Sequence, residues 1–219
     1  MRSVIFDLDG TLADTSLDLI VAGNGALRAL GMDEVLDAGD AGVALTGGMA
    51  LLRLGFARAG RRDQPVQSKH YPIFLQAYRG ALDTHSALYP GVPDAIEELR
   101  TAGYAVGVCT NKPQGPADDL LRRLGVRDLF GALVGADTLP VKKPDPAPLF
   151  EAIRRLGGDL TRGCLVGDTV TDRETARAAG LPAVLVTFGP GAADVPALQP
   201  EAVLPDYSQL SAVITQLRL

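Results

Sequence analysis

The sequence predicts an α/β protein with a doubly wound parallel sheet whose core is interrupted by an inserted helical cap domain. Three features lead to this fold class: short runs rich in β-branched residues, amphipathic helical stretches between them, and one connection that is much too long. Strands that alternate with helices are typical of a parallel sheet covered by helices. The chain has 219 residues, of which 47% are hydrophobic, enough for one such core and a small second domain.

Four runs have the composition of buried strands, and two weaker runs follow the same pattern. They show no alternation of polar and apolar residues, as expected for strands that are covered on both faces. The stronger runs are 3–6, 105–109, 164–166 and 183–186, and the weaker ones are 132–134 and 202–204.

Helices between these strands are indicated by apolar residues spaced three and four apart, with a glycine after the last turn. We expect them at about 93–102, 117–124 and 149–156. Thr171 and Glu174 have the spacing of a capping box, which predicts the start of a further helix that ends at Gly180.

The connection between the first two strands is the exception. It runs for about a hundred residues, whereas a strand–helix–strand unit needs only about thirty, and a structureless loop of that length is implausible. Helical patterns begin at Thr15 and cover Ala50 to Ala59 and Pro72 to Leu82. We therefore predict a helical cap at 15–85, inserted into a core formed by 1–14 and 86–219.

Charge and composition narrow the class of partner. The net charge is −5 and the arginines form no stripe, so neither nucleic acid nor a membrane is an expected partner. No apolar run is long enough to cross a bilayer, and we expect no signal peptide at the start of the sequence. Cys109 and Cys164 lie in apolar stretches, as buried thiols do. We expect a cytoplasmic monomer or homodimer that acts on a small molecule.

Polar residues follow the predicted strands at their carboxyl ends, where parallel sheets bind ligands. The segments are Asp7-Leu8-Asp9-Gly10-Thr11 after the first strand, Thr110-Asn111-Lys112 after the second, Gly167-Asp168-Thr169 with Asp172 after a later one, and Lys142-Lys143-Pro144 past the weak strand at 132–134. Their order along one sheet edge makes this set the candidate site.

The carboxylates in this set indicate a hard cation. Asp7 and Asp9 would repel each other, and Mg²⁺ relieves such repulsion through oxygen ligands, with Asp168 as a natural additional ligand. Zinc is disfavoured because the sequence has no cluster of His or Cys. A carboxylate beside a phosphate ester is also a possible nucleophile, and Thr110 and Lys143 are of the types that hold phosphoryl oxygens.

Each segment also has an ordinary structural explanation. Asp9-Gly10 alone is a common turn pair, Thr110-Asn111 could cap the next helix, Asp168 could be a turn residue, and Lys143 could be a solvated surface lysine. The functional interpretation depends on the whole set.

The ordered segments resemble the four motifs of the haloacid dehalogenase superfamily, and the resemblance covers nearly the whole chain, including the helical cap. Within the superfamily the chain is most similar to the phosphoglycolate phosphatases, through Tyr89-Pro90-Gly91-Val92, 110–113, and the stretch from Ala136 to Leu149. This implies a HAD-like, Rossmannoid core.

The resemblance also implies residue roles. Asp7 would be the nucleophile and Asp9 the general acid and then base, while Asp7, the Asp9 carbonyl and Asp168 would hold Mg²⁺ with Asp172 in support. Thr110, Asn111 and Lys143 would bind the phosphoryl group. Lys112 receives no role.

An acid at Asp9 separates this chain from true dehalogenases and from phosphonate hydrolases, which lack it, and favours hydrolysis of a phosphate ester because a leaving alkoxide needs a proton. The expected substrate is 2-phosphoglycolate, with Thr46-Gly47-Gly48 as the specificity loop of the cap and Arg53 as a possible carboxylate partner. A β-phosphoglucomutase-like phosphomutase, a pyrophosphatase, a general sugar-phosphate phosphatase and a catalytically silent binding protein are the alternatives.

Overall fold

The computed structural model describes residues 1–81 and 84–219. The described chain divides into two compact units, and each is described here by itself. The larger unit consists of Met1–Ala13 and Leu88–Leu219, and the smaller one of Asp14–Ala87. Among the described residues, no helix combines the length and the apolar character that a bilayer span requires.

The larger unit is built on a six-stranded parallel sheet. Its strands are β1 Ser3–Phe6, β4 Ala105–Cys109, β5 Ala132–Val134, β6 Gly163–Gly167, β7 Ala183–Val186 and β8 Ala202–Leu204. Their order across the sheet is β5-β4-β1-β6-β7-β8. Two short strands, β2 Ala13–Asp14 and β3 Ala87–Leu88, form a separate pair where the chain leaves and rejoins this unit. All six predicted strands are present, and the predicted fold class is confirmed.

Helices cover the sheet, and both of its faces are buried. The helices of the larger unit are α5 Val92–Thr101, α6 Gln114–Arg123, α7 Ala147–Arg155, α8 Val170–Ala179, α9 Val195–Leu198 and α10 Leu210–Gln216. Ile5 and Leu165 belong to a core cluster with Ile153 of α7 and Ala176 of α8. Alternate residues of a strand point to opposite faces. Since Phe6, next to Ile5, is equally buried, the second face is also covered.

The smaller unit contains four helices within its described residues. They are α1 Ser16–Ala29, α2 Ala41–Leu45, α3 Gly48–Arg58 and α4 Tyr71–Ala81. Asp18 in the first turn of α1 is fully buried, and its carboxylate accepts hydrogen bonds from the main-chain N–H groups of His85 and Ser86. This carboxylate fixes the segment through which the chain leaves the unit. The predicted helix at Pro72 to Leu82 corresponds to α4, and Leu82 lies outside the described residues.

The predicted capping box at Thr171 and Glu174 is wrong. Helix α8 begins earlier, at Val170, and the capping pair is Thr169 with Asp172. Both pairs have the same spacing in the sequence. The buried Asp172 carboxylate decides between them, because it accepts the hydroxyl and the N–H of Thr169 at 2.7 and 3.1 Å.

The buried cluster beneath α7 predicts a large effect of truncation at Ile153, which is fully buried. Ile153→Ala should lower the free energy of unfolding by about 2–5 kcal/mol, since it removes buried methyl groups and leaves a cavity. Leu160→Ala, at a leucine that is 37% exposed, is the control and should change it by less than about 0.5 kcal/mol. Urea denaturation measures both, and equal losses would contradict the assignment of this core.

Candidate active site

The sheet register brings the ends of its central strands to one edge. Phe6 of β1 lies level with Val108 of β4 and with Val166 of β6. The main chain just after β1 is still hydrogen-bonded to β6, because the N–H of Asp7 donates to the carbonyl of Val166 at 2.8 Å. The polar segments that follow these strands therefore begin side by side.

Three carboxylates meet at this edge. Asp7, Asp168 and Asp172 are buried, and each offers one oxygen in a group whose members all lie within 4.8 Å of one another. Three charges at such distances repel strongly in a site with little water. The cluster therefore needs a positive charge.

Lys143 supplies part of that charge. Its side chain is 1% exposed, and its Nζ lies 2.6 Å from Asp172 Oδ1 and 3.1 Å from Asp7 Oδ1. Burial alone would lower the pKa of Lys143, but the carboxylates of Asp172 and Asp7 outweigh burial and hold that pKa above its usual value. The ammonium is therefore charged at neutral pH and bridges the two carboxylates.

Asp172 acts as an anchor. It is fully buried in the first turn of α8, and one of its oxygens receives Lys143 while the other receives the hydroxyl and N–H of Thr169. A side chain at Gly167 would collide with it, since an added Cβ would lie 2.4 Å from the Asp172 Cβ. Because hydrogen-bond donors occupy both of its carboxylate oxygens, Asp172 is better suited to hold the Lys143 ammonium than to bind a metal ion directly.

Lys143 does not fully neutralise the negative charge of the Asp7 and Asp168 carboxylates. Burial, opposed by Lys143 and reinforced by Asp172 and Asp9, raises the pKa of Asp7 to about 6. Burial also raises the pKa of Asp168 well above its usual range, and the nearby Asp172 and Asp7 add to this effect. Two oxygen donors that resist ionisation unless a further cation is close are a suitable donor set for a hard divalent metal.

Asp9 stands apart from this cluster and has its own lysine. Lys112 Nζ lies 2.8 Å from Asp9 Oδ1, with the two side chains 4% and 14% exposed. The four acids of the site, Asp7, Asp9, Asp168 and Asp172, face two ammonium groups, a difference of two negative charges when all of them are ionised.

The residues after β4 contribute in different ways. The Thr110 hydroxyl is buried and accepts the N–H of Lys112 at 3.2 Å, and its own proton can still be donated. Asn111, expected at the phosphoryl group, donates its amide N–H to the main-chain carbonyl of Lys143 at 3.0 Å. Asn111 thereby fixes the loop that carries Lys143.

Two site residues received no role from the sequence. In the sequence, Lys112 is simply one residue of a polar run, and Thr11 is one residue of the first motif. The Thr11 hydroxyl donates to Asp168 Oδ1 at 3.0 Å, and its carbonyl accepts the Tyr207 hydroxyl at 2.8 Å. For Lys112, the sequence signal that could have indicated a role was its place in three consecutive polar residues directly after the buried strand β4.

The residues expected to form the cap loop lie in the smaller unit. Thr46 follows α2, where its hydroxyl donates to the carbonyl of Val43, and Gly47 has a φ of 115°, which favours glycine. Gly48 already belongs to α3 and lies against Phe74. The loop is therefore shorter than the sequence indicated. Arg53 is exposed on α3.

Comparison with known proteins decides the family. The model of the haloacid dehalogenase-like hydrolases matches residues 4–186. The chain belongs to this family. All four polar segments of the site lie within the matched residues, so the geometry above is that of a haloacid dehalogenase-like hydrolase.

Curated relatives of this hydrolase are phosphatases. The chain is 37% identical over 214 residues to a phosphoglycolate phosphatase of Mesorhizobium japonicum, covering 97% of this chain and 94% of that protein. It is 39% identical over 197 residues to a phosphoglycolate phosphatase of Caulobacter vibrioides, covering 85% and 79%. The prediction of an enzyme of the phosphatase class is thereby confirmed.

Solved structures agree on the fold. A predicted phosphoglycolate phosphatase of Haemophilus somnus superimposes with a TM-score of 0.80 at 25% identity, covering 97% of each chain. CbbY of Rhodobacter sphaeroides, solved with xylulose-1,5-bisphosphate, gives 0.78 at 24% identity over 97% of this chain and 99% of that one. The second likeness concerns the fold alone.

The two cysteines of the hydrolase take no part in this chemistry. Cys109 and Cys164 are both buried and free. Burial raises the pKa of Cys109 to about 12 and that of Cys164 further still. Both thiols therefore remain protonated and unreactive at neutral pH.

Removal of the Lys143 charge should destabilise the hydrolase. Lys143→Met leaves Asp7 and Asp172 buried without their ammonium, which should cost about 3–5 kcal/mol. The loss should be smaller at pH 5 than at pH 8. Carboxylates whose pKa is raised in the folded state bind protons as the pH falls, and this favours the folded form. The exposed Lys142→Met is the matched control.

Chemical denaturation at the two pH values measures these differences. A loss that is the same at both pH values would contradict the electrostatic role of Lys143.

Proposed function

We propose that this hydrolase is a Mg²⁺-dependent phosphatase of small phosphomonoesters, with 2-phosphoglycolate as its substrate, and that it works through an aspartyl-phosphate on Asp7. The observation that carries the proposal is the charge of the site, where four acids face two lysines among the residues that the structure describes. A phosphatase must bring a dianion to such a place, so positive charge has to be supplied there.

The donor set fits a hard divalent cation. Asp7, Asp168 and the main-chain carbonyl of Asp9 would hold Mg²⁺, and Asp172 would support the site through Lys143. When bound, the metal neutralises charge on the carboxylates and on the phosphoryl oxygens. Its charge of +2 would offset the carboxylate charge that the two lysines leave uncompensated.

Asp7 is the proposed nucleophile. The N–H of Leu8 donates to Asp7 Oδ1 at 2.8 Å and Lys143 approaches the same oxygen, so this oxygen is fixed and the other one can attack phosphorus. Lys143 and the Thr110 hydroxyl would bind the equatorial oxygens of the phosphoryl group, where positive charge and donors stabilise the transition state.

Asp9 is the proposed acid and base. As the bond from Asp7 to phosphorus forms and the ester P–O bond breaks, Asp9 gives its proton to the leaving oxygen. In the second step Asp9 takes a proton from water, the water oxygen bonds to phosphorus, and the bond to Asp7 breaks. Free Asp7 and inorganic phosphate result, and Asp9 is again protonated.

The proposed substrate rests on the curated relatives, which carry the name phosphoglycolate phosphatase at 37% and 39% identity. The smaller unit would act as the cap, with Thr46, Gly47 and Gly48 near the substrate. The backbone at Gly47, with its φ of 115°, is open to glycine, and the absence of a side chain suits close approach to a small ligand. A small phosphorylated metabolite is thus the proposed partner, and the free thiols are in keeping with the cytoplasm.

A phosphate-release panel tests this function. We expect 2-phosphoglycolate to give a higher kcat/KM than glucose 1-phosphate, xylulose 1,5-bisphosphate or pyrophosphate. Asp7→Asn should lower kcat by about 10³-fold or more, because it removes the nucleophile, while circular dichroism stays unchanged. Preference for another compound would correct the substrate, isomerisation of a sugar phosphate would indicate a mutase, and appreciable activity of Asp7→Asn would remove Asp7 as nucleophile.

The proposed dependence on Mg²⁺ can be tested by thermal stability as well as by activity. We expect a chelator to abolish phosphate release and Mg²⁺ to restore it, and Mg²⁺ should raise the thermal midpoint of the unmodified protein because it binds only the folded state. Asp168→Asn should lose this response and should raise the midpoint of the metal-free protein, since it removes a buried charge. The exposed Asp119→Asn is the control. Activity that is indifferent to chelation would refute the metal.

A further inference from the structure

Lys112 is a buried cation with no role in the mechanism above. It directly follows Thr110-Asn111 at the end of β4, and the residue is 7% exposed. Its Nζ lies 2.8 Å from Asp9 Oδ1, and 103 positions separate the two residues in the chain. The pair therefore exists only because the sheet places β1 and β4 next to each other.

Stability does not explain the burial of this lysine. Lysines are almost always exposed, and burying an ion pair costs desolvation that the attraction between the charges often only just offsets. The charge balance around the nucleophile does not explain it either, since Lys143 already bridges Asp7 and Asp172. The contact of its ammonium with Asp9 instead points to a function there.

The main chain holds Lys112 in place on both sides. Its N–H donates to the Thr110 hydroxyl at 3.2 Å, and its carbonyl accepts the N–H of Ala136 at 3.0 Å. The next residue, Pro113, is the N-cap of α6 and has a restricted φ of −55°. The ammonium is thus presented to Asp9 from a fixed backbone, as expected for a residue that orients another side chain.

We propose that Lys112 is a positioning residue for Asp9, a role that rests on the proposed function. The carboxyl group of an aspartate turns easily about its last bond, because that torsion has a broad, two-fold preference. A charge-assisted hydrogen bond to Oδ1 stops this rotation. Oδ2 is then the oxygen that carries the proton and faces the leaving group.

The proton transfer defines what Lys112 contributes. Asp9 Oδ2–H gives its proton to the ester oxygen as the P–O bond breaks and Asp7 bonds to phosphorus. The proton ends on the alcohol product and Asp9 is left as a carboxylate, held at Oδ1 by the ammonium. In the second step water returns a proton to Oδ2. Lys112 exchanges no proton and forms no bond to phosphorus.

The dependence of the rate on the leaving group distinguishes a positioning role for Lys112 from a substrate-binding or general structural role. An alkoxide needs a proton in order to leave, whereas 4-nitrophenolate leaves without one. For Lys112→Met we expect kcat for 2-phosphoglycolate to fall by about 10²-fold, with KM within about threefold of the unmodified value. The burst of 4-nitrophenolate from 4-nitrophenyl phosphate, which reports transfer to Asp7, should stay within about threefold, while the later steady state slows.

Matched variants complete the experiment. Lys142→Met removes an exposed lysine from the Lys143 loop and should leave both substrates unaffected. Lys112→Gln retains a donor and avoids an unpaired buried carboxylate, so it tests the proposal if Lys112→Met does not fold. Lys112→Arg should recover part of the lost kcat. Combining Lys112→Met with Asp9→Asn should be no worse than Asp9→Asn alone, because both changes remove the same contribution.

Several results would overturn the proposal. A raised KM with unchanged kcat would make Lys112 a substrate-binding group, and equal losses for the burst and for 2-phosphoglycolate would give it a general structural role. The Asp9→Asn variant distinguishes failure of the positioning role of Lys112 from failure of the acid role of Asp9. If it shows the leaving-group pattern and the Lys112 variants do not, only the positioning role fails. If Asp9→Asn itself lacks the pattern, the acid role of Asp9 fails with it.

Discussion

The Lys143 ammonium between Asp7 and Asp172 is the contact on which the rest of the site depends. Without it, three carboxylates within 4.8 Å of one another would be buried, and no other cationic side chain in the described part of the chain forms an ion pair with them. The contact also orients the proposed nucleophile, because Lys143 and the N–H of Leu8 both approach Asp7 Oδ1. One pair of ionic contacts thus permits the cluster and shapes it.

Several parts of the fold serve to hold that lysine. Asn111, after β4, donates to its main-chain carbonyl, and Asp172, in the first turn of α8, receives its ammonium. Asp172 is in turn fixed by Thr169 at the helix start. The cap of a helix and the charge balance of the site are therefore the same set of hydrogen bonds, and a change in one should disturb the other.

Two lysines divide the acids of the site between them. Lys143 forms ion pairs with Asp7 and Asp172, while Lys112 forms one with Asp9. This division suits two proposed roles that differ in chemistry, since a nucleophile must remain ionised and an acid must exchange a proton. A divalent cation would offset the negative charge that these two lysines leave at the proposed site.

Local sequence patterns predict the strands, the fold class, the family resemblance and the identities of the acids, because buried strands and the polar residues after them have recognisable compositions. The predicted capping pair, Thr171–Glu174, was wrong because Thr169–Asp172 has the same spacing and its acid is the one that is fully buried. Local patterns do not predict which side chains meet, and this follows from the three-dimensional fold. The contacts of Lys112 with Asp9 and of Thr11 with Asp168 join residues 103 and 157 positions apart. Such contacts depend on sheet register and rotamers, which local patterns do not encode.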